Sequence, residues 1–144
     1  MSEFSIFSPD FEDGGEIPKK FGYKFENEEP NIKIKDQYPT GSVAAALIMD
    51  DPDAMAAIGK VWVHCLEYWS LSDTTNQFVE GKNDFGELGY GGPAPPDGLH
   101  TYIYKVYALD IELDLKEGYS KQELEGAMKG HILAEAKLTG TFAP

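Results

Sequence analysis

Cysteine is nearly absent from this chain. Cys65 stands alone, so no internal disulfide can form, and a reducing compartment, the cytoplasm, is the expected location. Basic residues are scarce too: 12 Lys+Arg against 25 Asp+Glu leave a net charge of −13 at pH 7. The lysines are scattered, with only Lys19 and Lys20 adjacent. Such a surface repels phosphate backbones, which argues against a nucleic-acid partner, and its plainest use is solubility. Long apolar runs are missing, and none approaches the ~20 residues that cross a bilayer. The opening MSEFSIFSPDFEDGG has neither the basic start nor the apolar core of a secretory signal. Also missing are G-x-S-x-G, H-E-x-x-H and C-x-x-C, as is the nucleotide-phosphate loop G-x-x-x-x-G-K-[ST]. No enzyme, cofactor or metal centre is expected on these grounds.

The 144 residues are 42% hydrophobic and 12% aromatic, a composition that folds. One domain spanning 1–144 is expected. Fifteen glycines and nine prolines separate short apolar runs, the rhythm of a β-sandwich or barrel. Residues 42–49 (SVAAALIM) read as a strand buried on both faces, although three alanines also suit a helix; the turn residues Asp50-Asp51-Pro52-Asp53 follow. In residues 60–68 (KVWVHCLEY), period two puts Val61, Val63, Cys65 and Glu67 on one face. Trp62, His64, Leu66 and Tyr68 take the other. A third strand, 101–109, carries Tyr102, Tyr104, Val106 and Ala108 on the face of His100. Ser120 and Glu123 form a capping-box pattern for a helix through Leu124, Ala127 and Met128, with Gly130 as the stop. A last half-buried strand alternates Ala136, Leu138, Gly140 and Phe142 with polar residues. Residues 70–98 are polar, glycine-rich and too long for an idle connection.

Four features carry chemical potential, each with a bland counterpart. Asp51 and Asp53 flank Pro52, as in any polar turn. His64 lies mid-strand, where a buried histidine is more often hydrogen-bonded core than ligand contact. His100 opens a strand just after a loop, a place from which side chains reach a site. Gly91, Gly92 and Pro93 belong to GYGGPAPP, either a stiff connector or a loop whose amides cradle an anion.

In order along the chain, ENEEP…YPTGS…LIMDDPDA…WVHCLEY…GYGGPAPPDGLHTYIYKVYALD…GHILAEAKLTGTF resembles the phosphatidylethanolamine-binding protein family. The match is to its prokaryotic, Raf-kinase-inhibitor-like branch and covers nearly the whole chain. The resemblance implies a Greek-key β-sandwich with one or two short helices and a small anion pocket at one end. By position it implies a ligand-binding set of Asp51, Asp53, His64, Gly91, Gly92, Pro93, His100 and Tyr102. It further implies a small anionic ligand such as phosphate or a phosphorylated headgroup. Protein kinases or serine proteases as partners, and a homodimer, follow from the same likeness. Four residues depart from the family pattern: Met55 for proline, Cys65 for tryptophan, Glu67 for an apolar residue and Thr101 for arginine. Glu67 implies a solvated or edge position, and Thr101 removes a positive charge from the site.

The expected mechanism has His64 and His100 as N–H donors to an oxyanion, with Tyr102 donating its hydroxyl and Gly91-Gly92 their amides. Asp51 or Asp53 would orient an imidazole and favour its charged form. Against a net charge of −13, such a site must be small and enclosed. Two rival readings stand beside it: an acid–base enzyme using the Asp/His pair, and a surface-acting inhibitor of a kinase or protease with a vestigial pocket.

Overall fold

A computed structural model describes residues 4–72 and 78–144. The short strands β1 (Ile6–Phe7) and β2 (Gly15–Glu16) come first, then a 3-10 turn at Lys19–Phe21 and β3 (Lys33–Ile34). The long strands are β4 (Ala44–Asp51), β5 (Trp62–Ser70), β7 (His100–Leu109) and β8 (Ile132–Phe142); β6 (Val79–Glu80) is short. Helices α1 (Ala54–Ile58) and α2 (Lys121–Met128) complete the order. The fold is mainly β with two short α-helices, as expected.

One six-stranded sheet runs β2-β8-β7-β4-β5-β6, antiparallel except where β2 pairs parallel with β8. Among the described residues the sandwich's second sheet is a two-stranded ribbon, β1-β3. The N-terminal segment completes that layer, laying Ile6, Phe11, Ile17 and Phe21 over Leu47, Met49, Tyr104, Val106 and Leu138. On the opposite face, Ala46, Ile48, Leu66 and Tyr107 are covered by Tyr119, Leu124 and Met128, the last two from α2. The central strand β4 is therefore sealed on both sides, and all eight of its residues are buried. That double burial is why its sequence is an unbroken apolar run. Strand wins over helix for the alanines because both neighbours, β5 and β7, are themselves long strands that need a partner.

The capping box of α2 forms as its residues predict: Ser120 Oγ accepts the Glu123 N–H at 3.0 Å, and Glu123 accepts the Ser120 N–H. Two details differ from the sequence reading. Asp50 and Asp51 are the last residues of β4, not turn residues, and the turn begins only at Pro52. Directly after it lies α1, five residues that end where Gly59 turns at φ +78°, a conformation glycine adopts at no steric cost.

A bulge changes the facing of β5. Met49 opposes Cys65, but the next residue, Asp50, opposes Val63, so His64 is one residue too many. Val63 consequently packs with Leu66 and Tyr68 under α2, while Cys65 joins Leu47 and Met49 on the N-terminal side. The strict alternation expected through residues 60–68 breaks at His64. A bulge does this by letting two residues oppose one, which re-aims a side chain. His64 points with Cys65, toward Tyr102.

Candidate functional site

The bulge puts His64 into a cavity at one end of the sheet. Its walls come from four places: Asp51 at the end of β4, Ala54 and Ile58 of α1, Trp62 and His64 of β5, and His100 of β7. Phe85, Ala94 and Pro96 close it from the long 70–98 excursion. The volume is about 190 Å³, as small as the acidic surface demands, and the cavity is open to solvent on one side. The excursion is ordered by Asn83, a buried side chain whose amide donates to Gly89 O and whose oxygen accepts the Phe85 and Glu87 N–H groups. Residues 73–77 of that expected loop lie outside the described residues.

Both imidazoles line this one cavity, but they differ in charge. His64 is 2% exposed, and its Nδ1 donates to the Gly91 carbonyl at 2.7 Å. Burial pushes its pKa down, against the opposing pull of the Gly91 carbonyl and Asp51. The ring is therefore neutral with its proton on Nδ1, and Nε2 is left as an acceptor. His64 is not the N–H donor to a ligand that the sequence reading made it. His100 is held at both nitrogens: Nδ1 meets Asp51 Oδ2 and Nε2 meets Asp97 Oδ1, each at 2.6 Å. Burial alone would lower its pKa, but hydrogen bonds to the two carboxylates outweigh this and raise it. His100 is the pocket's cation. Asp51 is as buried as its partner, whereas the Asp97 side chain is 55% exposed.

Tyr102 is fully buried with its ring 5.1 Å from His64 and 6.4 Å from His100. Burial, followed by the Asp51 charge, pushes its pKa up, so the hydroxyl keeps its proton. No hydrogen-bond partner meets that hydroxyl or the buried indole N–H of Trp62. Trp62 lines the cavity and Tyr102 packs behind its two imidazoles; unpaired donors there are unusual, since buried polar groups are almost always satisfied.

The remaining members of the expected set do structural work instead. Asp53 is exposed and does not line the cavity; its carboxylate accepts the Thr101 N–H at 2.7 Å, tying the start of α1 to β7. The lid amides are already used. Gly91 N–H donates to the His64 carbonyl, and Gly92 N–H donates to Asn27 Oδ1 at 2.7 Å. Pro93 has no N–H, and its carbonyl accepts from Tyr23. Gly92 is needed for closeness: a Cβ there would sit 2.0 Å from the Phe21 carbonyl oxygen. The glycine–proline loop therefore orients His64 and seals the wall without offering amides to an anion.

Glu67 also departs from expectation, being 4% exposed rather than solvated. Sequence reasoning missed Trp62, Phe85 and Asp97. Only the length of the excursion signalled that it served the site.

Comparison with known proteins agrees with this fold. Residues 7–143 match the family model described as phosphatidylethanolamine-binding protein. A UPF0098 protein of Methanothermobacter thermautotrophicus is 41% identical over 145 residues, covering 92% of this chain and 93% of the relative. One from Chlamydia muridarum is 38% identical over 147 residues, covering 95% and 97%. The crystal structure of a phosphatidylethanolamine-binding protein homologue from Chlamydia trachomatis superposes with a TM-score of 0.85 at 33% identity, covering 98% of this chain and 97% of that one. An Escherichia coli member of the family, at 24% identity and a TM-score of 0.86, shares the fold. With the family model matching almost end to end, this chain belongs to the phosphatidylethanolamine-binding protein family.

Proposed function

We propose that the cavity binds a small oxyanion, phosphate or a phosphorylated headgroup, with His100 as its cation. The observation that carries this reading is Asp97. An exposed carboxylate of the chain's own loop already sits on His100 Nε2 at 2.6 Å, beside the unpaired hydroxyl of Tyr102. A ligand oxyanion takes the place of Asp97 on Nε2 and accepts from Tyr102 as well. Asp51 stays behind on Nδ1 and keeps the imidazole charged. The chain has no arginine and no lysine lines the cavity, so among the lining residues imidazole supplies the positive charge that Thr101 does not. The proposal invokes no cofactor and no turnover. It includes, as the family likeness implies, a cytoplasmic protein that modulates a kinase or serine protease and forms a homodimer. Among the described residues no helix is long and apolar enough to cross a membrane.

Calorimetric titration with sulfate, from about pH 6 to about pH 9, tests the reading without the ligand's own second ionisation interfering. His100 is charged below its raised pKa, so affinity is expected to hold at low pH and fall as pH rises through that value. An affinity that is flat across the range, or that grows with pH, overturns it. A second reading, general base catalysis, is favoured by the bare Nε2 of neutral His64. Hydrolysis of a phosphomonoester lost in His64→Gln but kept in Asp97→Asn would support that reading over simple binding.

A further inference from the structure

The other end of the same sheet face holds a second constellation that the anion pocket does not use. We propose that Glu29, Cys65 and Glu67 form a binding site for a thiophilic divalent cation of the Zn²⁺ class. One carboxylate oxygen from each glutamate and the Cys65 sulfur all lie within 4.8 Å of one another. Cys65 and Glu67 are two residues apart on β5 and share its N-terminal-side face; Glu29 reaches them from the irregular segment before β3.

A second observation points independently to a ligand. Glu67 is 4% exposed and faces into a cavity of about 460 Å³, whose walls include Tyr38, Leu47, Trp69 and Val106. Among the described residues its carboxyl is hydrogen-bonded only within the cluster, to Glu29 and Cys65. Glu80 stands directly across from it on β6, adding like charge. Among the described residues no salt bridge reaches Glu29, Glu67 or Glu80. A buried carboxyl with acids beside it and no cation near it is costly, and proteins resolve that arrangement by pairing or by metal coordination.

The donor set selects the metal. A thiolate with two carboxylates suits Zn²⁺ and its relatives, and sulfur disfavours Mg²⁺ or Ca²⁺. Zinc bonds of about 2.3 Å to sulfur and 2.0–2.2 Å to oxygen bring ligand atoms to within roughly 3.5 Å of each other. Glu29 is exposed and outside regular structure, so it can close the last ångström or so. On binding, the Cys65 S–H and Glu67 O–H bonds break, a sulfur–metal and an oxygen–metal bond form, and both protons leave to solvent. Three protein donors leave a fourth position facing the cavity, which is open to water or a ligand atom.

The test uses Co²⁺ as a coloured stand-in for Zn²⁺, added to the whole chain. The expected result is one ion per chain with a near-ultraviolet thiolate-to-cobalt absorption, bleached by Zn²⁺. Cys65→Ser should abolish that band, and Glu67→Gln and Glu29→Gln should each weaken binding by about tenfold or more. Glu29 is exposed, so its variant keeps the test valid even if a change at buried Cys65 or Glu67 impairs folding. The proposal is overturned if Co²⁺ gives no thiolate band, or if the band survives in Glu29→Gln and Glu67→Gln with unchanged affinity.

Discussion

The two cavities lie on the same face of the same strands, yet they handle charge in opposite ways. At the β4 end, the cavity's cation, His100, is matched at both nitrogens by carboxylates, and the second imidazole is kept neutral. At the other end, Glu67 sits between Glu29 and Glu80 with no counter-charge among the described residues. Burial, then Glu29, then Glu80, push the Glu67 carboxyl up to about 9. The comparison teaches that charge buried with a partner costs the fold little, while charge buried without one is held in its protonated form or awaits a cation. One site is electrostatically complete before any ligand arrives. The other is not.

Breaking the complete site should have the largest effect. Asp51→Asn leaves His100 with only its exposed partner, and the expected loss is about 3 kcal/mol of stability by urea unfolding, together with sulfate affinity. The incomplete site should respond with the opposite sign. In the folded state Glu67 titrates near 9, against about 4.5 unfolded, so the native state binds the extra proton over that interval. Stability therefore falls as pH rises from about 4.5 toward 9. Glu67→Gln removes the slope and should gain about 2 kcal/mol at about pH 8, read as a flatter melting-temperature profile. A smaller effect is expected at the rim. Asp97→Asn withdraws a half-exposed competitor from His100 Nε2 and should tighten sulfate binding by about threefold, leaving stability within about 0.5 kcal/mol. Weaker binding in that variant would make Asp97 a partner of the ligand and not its rival.

Much of the fold was legible because hydrophobic period and burial coincide. Strands β4, β7 and β8 and the capped helix α2 stand where their residues predict. Three things were not legible. The bulge at His64 is a single extra residue, and reading with period two has no means of detecting it. Helix α1 has five residues, too few to show a period. The use of the Gly91 and Gly92 amides depends on the His64 carbonyl and Asn27, partners 27 and 65 positions away, and no local pattern marks such pairings. Of the cavity's lining, Asp51, His64 and His100 were named from the resemblance, and the different charges of the two imidazoles emerged only from their neighbours. Glu67 was noticed as unusual and misread as solvated, because burial on a strand next to a two-residue edge strand is set by the N-terminal layer above it.

The central claim is that one imidazole carries the charge and meets the ligand while the other stays neutral. Nitrogen NMR of the histidine side chains during a sulfate titration at about pH 7 reads both rings at once. The predicted result is a charged His100 whose Nε2–H signal moves with bound sulfate, beside a His64 that keeps its proton on Nδ1 throughout. A His64 that becomes protonated as sulfate binds, with His100 unmoved, would contradict the account.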